Sequence, residues 1–310
     1  MKIVALAGGV GGAKLVHGLA QVLPPQDLTI IVNTGDDFEH LGLHISPDLD
    51  TVCYTLAGLA EPETGWGRAE ETWQALTALQ QLGGPGWFRL GDKDLGTHLE
   101  RTRRLKGGEG LSRIVRGFCD VWGIKQSVLP MTDSTVKTIV QTDTAELQFQ
   151  EYFVQQKCQP RVTGFRFEGA EAARPAPGAV EAVLGADGVI ICPSNPWVSI
   201  GPILAIADLK AALERKTVLA VSPIIGGKTV KGPADKMFRE MGIEPTAYAV
   251  ANQYAASARL FVMDEIDAPL VESVRQLGMA VLLTDTLMRN PGERRRLAEG
   301  VLDFMQANRS

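Results

Sequence analysis

The sequence predicts an α/β fold: a doubly wound, mainly parallel, Rossmann-like sheet with a small helical insertion. Two observations carry this prediction. Short apolar runs alternate with segments of helical period along most of the chain, and the first run leads through a glycine-rich turn into a helix. With 310 residues, 45% of them hydrophobic and 22% charged, the chain is long enough to bury a full-sized core.

The chain opens with a β–α–β unit, in which residues 2–7 and 28–32 are predicted strands and residues 13–23 a helix. Helical period also marks residues 50–59, 234–241 and 293–305. The later strands are predicted at residues 189–192, 217–221, 260–263 and 280–283.

The chain divides into a Rossmann-like nucleotide-binding core, residues 1–68 and 123–310, and a helical insertion, residues 69–122. Within the insertion, residues 70–81 and 111–121 show the clearest helical period. Strand-like alternation at residues 148–153 and 162–167 predicts a small antiparallel flap.

Composition excludes several classes of function. The net charge of −5 and pI near 5.5 argue against nucleic-acid or anionic-membrane binding, because those partners select a basic surface. The four cysteines show no CxxC spacing, which favours a reducing cytoplasm over a disulfide framework or zinc site. The first residues are too short an apolar run for a signal peptide, and no run reaches the roughly 18 apolar residues of a membrane span. We therefore expect a cytoplasmic protein.

The glycine-rich turn after the first strand is a predicted phosphate site. Gly8, Gly9, Gly11 and Gly12 precede a helix, where free amides and the helix dipole bind anions, and Lys14 follows one turn later. The turn lacks the Ser or Thr that follows the lysine of a Walker A loop, and its last position departs from the dinucleotide pattern. The glycine-rich turn predicts a bound nucleotide but does not indicate which one. The alternative interpretation is a tight turn that binds no ligand.

A cluster of carboxylates follows the second strand: Asp36, Asp37, Asp48 and Asp50. A dinucleotide fold needs one acidic residue there to hold a ribose, so this cluster implies a metal ion or a polyol ligand. The alternative is local: Asp48 caps the helix that follows, and Asp50 is a favourable charge in its first turn. We expect the acidic turn and the glycine turn to face one crevice.

Two further turns follow predicted strands and should open on the same crevice, because ligands of doubly wound sheets bind at the carboxyl ends of the strands. They contribute Ser194, Asn195, Ser222, Gly226 and Gly227. Asn195 can read a guanine or a ribose, or can simply form an Asn-Pro turn.

Seven segments, in order, resemble the 2-phospho-L-lactate transferases of coenzyme F420 biosynthesis and their bacterial phosphoenolpyruvate-using relatives. The resemblance covers nearly the whole chain. The segments are GGVGGAKL (8–15), NTGDDFEHLGLHISPDLDTVCYTLAG (33–58), GWG (65–67), LGDKDLGTHLERT (90–102), LPMTDS (129–134), PSNPWVSIGPIL (193–204) and VSPIIGGKTVKGPADK (221–236). One departure is Ser134, where the family usually has a second aspartate.

The resemblance implies a Mg²⁺-dependent transferase. It moves a phosphorylated three-carbon acid (phospholactate, phosphoenolpyruvate or phosphoglycerate) from its guanosine diphosphate-activated form to the deazaflavin alcohol Fo, and it releases GMP. It also implies Fo binding by Asp50 and Lys93, and a homodimer.

The chemistry assigns further roles. Asp36, Asp37 and Asp48 are the candidate Mg²⁺ ligands, because that ion is usually held by one or two carboxylates together with phosphate oxygens. Asp50 is the candidate catalytic residue, because its carboxylate can accept a hydrogen bond from the attacking hydroxyl of Fo. Trp66 can stack on the deazaflavin ring.

Two other functions stay open on the same scaffold. One is a non-enzymatic regulatory protein that binds a nucleotide sugar; the acidic SPDLD segment disfavours it. The other is an NAD-dependent oxidoreductase, which the paired aspartates and Lys14 disfavour.

Overall fold

The computed structural model describes residues 1–308. Within this range the chain forms fourteen strands and twelve α-helices. The strands are β1 (Ile3–Ala7), β2 (Leu28–Val32), β3 (Phe38–His40), β4 (Leu43–Ile45), β5 (Ser127–Pro130), β6 (Lys137–Thr142), β7 (Glu146–Gln148), β8 (Val162–Glu168), β9 (Gly188–Ile191), β10 (Val218–Val221), β11 (Ile224–Ile225), β12 (Lys228–Thr229), β13 (Leu260–Met263) and β14 (Ala280–Leu283). The helices are α1 (Gly9–Val22), α2 (Pro47–Ala57), α3 (Gln74–Gln81), α4 (Asp92–Lys106), α5 (Leu111–Val121), α6 (Ala179–Gly185), α7 (Gly201–Leu204), α8 (Ala207–Leu213), α9 (Ala234–Glu240), α10 (Ala247–Tyr254), α11 (Val271–Gln276) and α12 (Pro291–Ala307).

The core is a seven-stranded sheet in the order β14-β13-β10-β9-β1-β2-β5, and all of its pairs are parallel. This confirms the predicted fold class. β2 and β5 lie on one side of β1, whereas β9, β10, β13 and β14 lie on its other side. The strand order therefore reverses between β1 and β9. A crevice opens at such a reversal, outside the carboxyl ends of the two strands.

Helices cover both faces of the sheet because the strands bury both. In β1, Ile3, Ala5 and Ala7 pack under α1, α2, α5 and α12, whereas Val4 and Leu6 pack against the other face, under α6 to α11. Each such fully buried aliphatic side chain larger than alanine contributes about 1.5–3 kcal/mol to the free energy of unfolding. Two buried layers therefore fix the position of every turn at the crevice.

The region predicted as an insertion contains α3, α4 and α5. Helix α3 begins at Gln74, four residues after the predicted start, and α5 has the predicted bounds. Leu111, Val115 and Cys119 of α5 belong to the same buried cluster as α1 and α2. The end of this region thus packs as part of the core.

A three-stranded antiparallel sheet, β7-β6-β8, forms the flap beside the crevice. The prediction of a strand over residues 148–153 was wrong: β7 ends at Gln148, and a wide helical turn covers Glu151–Gln155. Phe149 and Phe153, four residues apart, stack with ring centroids 5.4 Å apart. Residues at that spacing share one side of a helical turn, which favours the turn over a strand.

No single helix within residues 1–308 has the length and apolar composition to cross a membrane. The pair Pro196–Leu204 and Ala207–Leu213 passes that test only when joined, and it is bent by 93°. Its buried side chains Ile203 and Leu209 lie in the core cluster.

Candidate active site

A cavity of about 860 Å³ opens at the carboxyl ends of β1, β2, β9 and β10, at the reversal of the strand order. This is the position at which doubly wound sheets bind ligands, and the volume is that of a site for a nucleotide-sized molecule. Its lining includes Gly8, Gly9, Gly11, Lys14, Asp36, Asp48, Asp50, Asp94, Ser194 and Lys231.

The glycine turn and the acidic turn touch each other in this cavity. The amide of Gly9 donates a hydrogen bond to Asp48 Oδ1 at 2.8 Å, and Asn33 Nδ2 donates to Asp48 Oδ2 at 2.9 Å. The expectation that the two turns face one crevice is confirmed. The contact also uses the first amide of α1, so a phosphate would meet the amides that follow it.

The glycines serve packing as well as ligand access. A β-carbon on Gly11 would lie well inside contact distance of the Pro193 carbonyl oxygen, and one on Gly12 would lie 2.8 Å from Ser194 Oγ. Ser194 also donates to the Gly8 carbonyl at 2.9 Å. The glycine turn is therefore fixed on the turn after β9, which is a reason for its glycines that the sequence alone does not give.

Lys14 brings a positive charge to the cavity wall. It makes no ion pair with any residue in the range 1–308, and its pKa is lowered because the side chain is partly buried and lies near Arg294 and Lys231. An unpaired cation beside free helix amides is the arrangement that an anionic ligand stabilises.

Asp36 and Asp48 form a buried pair of carboxylates, with 4% and 8% of their surface exposed. Burial, and then the charge of Asp48, raise the pKa of Asp36 well above its usual range. Burial raises the pKa of Asp48 to about 6, although hydrogen bonds from Asn33 and Gly9 oppose the shift. Asp36 Oδ1 is buried and accepts no hydrogen bond from the described residues. Such a pair, with one orphaned oxygen, fits a hard divalent cation such as Mg²⁺.

Asp37, the third predicted ligand, has one oxygen engaged outside the cavity, while its other oxygen, Oδ1, is buried and accepts no hydrogen bond from the described residues. Its Oδ2 accepts a hydrogen bond from Ser46 at 2.6 Å and lies 3.0 Å from His44 Nε2. It does not line the cavity. The structure thus brings two of the three predicted metal ligands to the site.

Asp50 belongs to a buried network that joins α2 to α4. Arg101, only 1% exposed, donates to both carboxylate oxygens, to Oδ2 at 3.1 Å. His98 lies 3.7 Å from Asp50 and 3.3 Å from Asp94, which accepts a hydrogen bond from the Tyr54 hydroxyl at 2.7 Å. Burial raises the pKa of Asp50, while Arg101 and His98 act to lower it.

One ligand atom each from Asp50, Asp94 and His98 lies within 4.8 Å of the others, a spacing that suits a metal ion. Arg101 already occupies both oxygens of Asp50, so a cation there would have to displace a buried guanidinium. The group is better described as a hydrogen-bonded network that orients Asp50.

The remaining predicted residues divide into two groups. Asn195, Ser222 and Trp66 line the cavity. Asn195 Oδ1 accepts from the amides of Trp197 and Val198, which is the turn-forming role that the sequence left open.

Ser222 exchanges hydrogen bonds with the backbone of its own turn. Gly226, Gly227 and Lys93 do not line the cavity. The two glycines form the turn between β11 and β12, and Lys93 donates to the Ala69 carbonyl at 3.2 Å.

Two tryptophans line the cavity. Trp66 is half exposed at the rim. Trp87 packs against His40 and Phe88, with ring centroids 5.1 and 5.7 Å away. Of the two tryptophans, Trp66 is the one whose ring faces are free for a planar ligand.

Sequence reasoning missed Asp94, His98 and Arg101 as site residues. Their spacing of four and then three residues places them on one face of α4, and this polar stripe was readable in the sequence. It missed Lys231 as well, for which the sequence carries no comparable signal.

Comparison with known proteins gives one family. The sequence model of the family described as 2-phospho-L-lactate transferase CofD matches residues 3–287. A phosphoenolpyruvate transferase of Streptomyces griseus is 41% identical over 318 residues, covering 100% of this chain and 100% of that protein. A 2-phospho-L-lactate transferase of Methanopyrus kandleri is also 41% identical, over 314 residues, covering 99% of this chain and 98% of that protein. The two relatives are named for different acids and are equally similar to this chain. Sequence identity therefore does not distinguish phosphoenolpyruvate from 2-phospho-L-lactate.

Among solved structures, a member of the UPF0052 family from Bacillus halodurans superposes with a TM-score of 0.62. It covers 97% of this chain and 98% of that chain at 16% identity. This likeness shows a shared fold.

Proposed function

We propose the following function for this chain, which belongs to the 2-phospho-L-lactate transferase CofD family and so to the transferases of coenzyme F420 biosynthesis. It transfers a phosphorylated three-carbon acid from its guanosine diphosphate-activated form to the alcohol of Fo, and GMP is released. The observation that carries the proposal is the contact between Gly9 and Asp48, because it unites a phosphate-binding turn and a carboxylate cluster in one cavity.

The transfer is a displacement at phosphorus. The hydroxyl oxygen of Fo forms a new P–O bond to the phosphorus that carries the acid. The bridging P–O bond breaks, GMP leaves with its electron pair, and the hydroxyl proton is released. Such reactions depend mostly on positioning and on neutralising charge.

The donor would lie along the glycine turn. The amides that follow Gly9, together with Lys14, offer hydrogen bonds and positive charge to its diphosphate. Ser194 holds that turn in place through the Gly8 backbone.

Mg²⁺ is part of this proposal. Asp36 and Asp48 would hold it, and Asp37 would fix the acidic turn through Ser46 and His44. The ion would neutralise charge on the diphosphate of the donor.

Fo would enter on the side of α2 and α4. Asp50 would accept a hydrogen bond from the attacking hydroxyl, held in orientation by Arg101, and Trp66 would stack on the deazaflavin ring. The fixed ion pair favours positioning over proton abstraction as the role of Asp50, because Arg101 lowers its basicity. Lys93 would have to leave the Ala69 carbonyl to reach Fo.

The test is an assay for GMP. The protein is incubated with Fo, Mg²⁺ and one of three donors, in which guanosine diphosphate carries phospholactate, phosphoenolpyruvate or phosphoglycerate. We expect GMP release with at least one donor, dependent on Fo and lost with EDTA, and the ratio of rates identifies the acid. Guanine-nucleotide binding without GMP release from any donor would contradict the transferase and favour a non-enzymatic binding protein.

Assembly and location are also proposals. We expect a homodimer, which light scattering of the purified chain tests, and a cytoplasmic enzyme.

A further inference from the structure

Lys231 reaches across the mouth of the cavity. It lies between β12 and α9, and its ammonium donates to two backbone carbonyls on the opposite rim, to Glu63 O at 3.2 Å and to Thr64 O. These contacts join parts of the chain about 167 residues apart in sequence. Lys231 itself lines the cavity.

The segment it holds, residues 60–68, is here named the tryptophan loop. The loop closes on itself through a bridge between Ala60 and Arg68. It carries Trp66 into the cavity lining. It also rests on the glycine turn, because a β-carbon on Gly65 would come within 2.7 Å of Val10 Cγ1. The tryptophan loop therefore lies between the donor side and the acceptor side.

The partners of Lys231 are weak ones for a charged group. Its ammonium has three donors, and in residues 1–308 they meet neutral carbonyls and no carboxylate. Lys14 lies close enough to repel it. An ammonium bound to a phosphate also gains the attraction between two opposite charges, which a neutral carbonyl does not supply. An anion that enters between Lys14 and Lys231 would be attracted by the positive charges of both lysines.

We propose that Lys231 is a positioning residue that exchanges the carbonyls of Glu63 and Thr64 for the anionic part of the donor. The inference rests on the proposed function, since it assigns Lys231 to the same donor. Once the ammonium is withdrawn, the tryptophan loop is free to move, and Trp66 takes its position over the acceptor. Donor binding thereby prepares the acceptor site.

This exchange is a coupling between two sites, so it has to be reciprocal. The donor is favoured in the state where the tryptophan loop is released, and the acceptor is favoured in the same state. We expect each ligand to strengthen the binding of the other.

The experiment uses GDP as the probe and tryptophan fluorescence as the readout, with the Trp66→Phe variant identifying the signal of Trp66. Lys231→Met removes the charge, Lys231→Arg keeps it, and Lys228→Met is the matched control, because Lys228 is an exposed lysine of the same hairpin that does not line the cavity. We expect GDP to bind Lys231→Met on the order of tenfold more weakly, with the Trp66 signal lost even at saturation. Lys231→Arg should recover most of both, and Lys228→Met should match the wild type.

Kinetics gives a second readout. Lys231→Met should raise the KM for the donor, which loses a charged partner. It should lower the KM for Fo, because the tryptophan loop is then released without the donor. Thermal unfolding should be unchanged, because the side chain is exposed.

The outcomes separate the two proposals. A wild type that binds no GDP and releases no GMP contradicts the proposed function. A wild type that binds GDP, with Lys231→Met showing the same affinity and the same Trp66 signal, overturns the role of Lys231 alone.

Discussion

Asp50 and Arg101 illustrate what a single residue's position in the sequence reveals and what it does not. The carboxylate could be predicted as a site residue because it follows a strand within an acidic turn. Its partner could not, because Arg101 lies in a helix rich in charges, where Arg103 and Arg104 pair with glutamates at or near the surface. Burial decides between these arginines, and burial depends on packing between α2 and α4.

The pair should behave as a unit in stability measurements. Asp50→Asn and Arg101→Met each leave a buried charge without its partner, so each should lower the free energy of unfolding by about 3–5 kcal/mol. The double variant should be more stable than the sum of the two losses predicts, because neither charge is then unpaired. Urea unfolding of the four proteins measures this; strictly additive losses would contradict a coupled pair.

At the scale of elements, six of the seven strands of the central sheet were predictable because they are short apolar runs, most of them buried on both faces; the edge strand β5 was missed. The strands at 28–32, 260–263 and 280–283 have their predicted bounds. Elements outside the sheet were harder, since periodicity there is short. β6 was missed, and residues 151–155 turn rather than extend, which the stacking of Phe149 on Phe153 favours.

The contact between α1 and α12 depends on a small residue. A β-carbon on Gly18 of α1 would overlap the Arg294 carbonyl oxygen of α12, so the two helices meet backbone to backbone. Gly18→Ala should lower the free energy of unfolding by about 1–3 kcal/mol through this clash, despite the better helix propensity of alanine.

Gly300→Ala is the matched control within α12. A β-carbon there meets nothing within 4 Å, and we expect a gain of roughly 0.5–1 kcal/mol. Denaturant unfolding measures the free energy of unfolding of both variants. A Gly18→Ala protein more stable than the wild type would contradict the tight contact, because it would show that α1 and α12 separate easily.

For the whole molecule, the fold class and the position of the site could be predicted from the sequence. The glycine turn follows β1 and the acidic segment begins after β2, and these neighbouring strands end at one edge of the sheet; Asp48 reaches that edge from α2, after the β3–β4 hairpin. Arg101, His98 and Lys231 lie outside the sheet on α4 and on the segment after β12, and their contacts are set by how those parts dock. The periodicity of the sequence carries no information about how these segments pack against the rest of the protein.

The carboxylate pair makes the stability of the metal-free protein depend on pH. The pKa of Asp48 is raised to about 6, so between pH 4 and pH 6, roughly, the folded state binds more protons than the unfolded state. Stability contributed by this group is present at low pH and lost as the pH rises through about 6. Asp36, whose pKa is also raised, acts in the same direction.

In EDTA we therefore expect the melting temperature to fall by several degrees from about pH 5 to about pH 8. Mg²⁺ should restore it at the higher pH and have little effect at the lower one. The control variant Asp36→Asn should make the curve in EDTA less steep, because the contribution of Asp36 is removed while that of Asp48 remains. Equal effects of Mg²⁺ at both pH values would contradict a site made by these two carboxylates.

β1, an interior strand of the central sheet, is synthesised long before one of its two neighbours. β1 meets β2 within the first 32 residues, but its other neighbour begins only at Gly188. At roughly 5–20 residues per second, one edge of β1 stays open for on the order of ten to thirty seconds of translation. Helix α12, which covers α1, is synthesised after all seven strands of the central sheet. The nascent chain thus carries one unpaired edge of β1 until Gly188 is made, and the cavity, whose lining extends to Met288, is complete only about a hundred residues later.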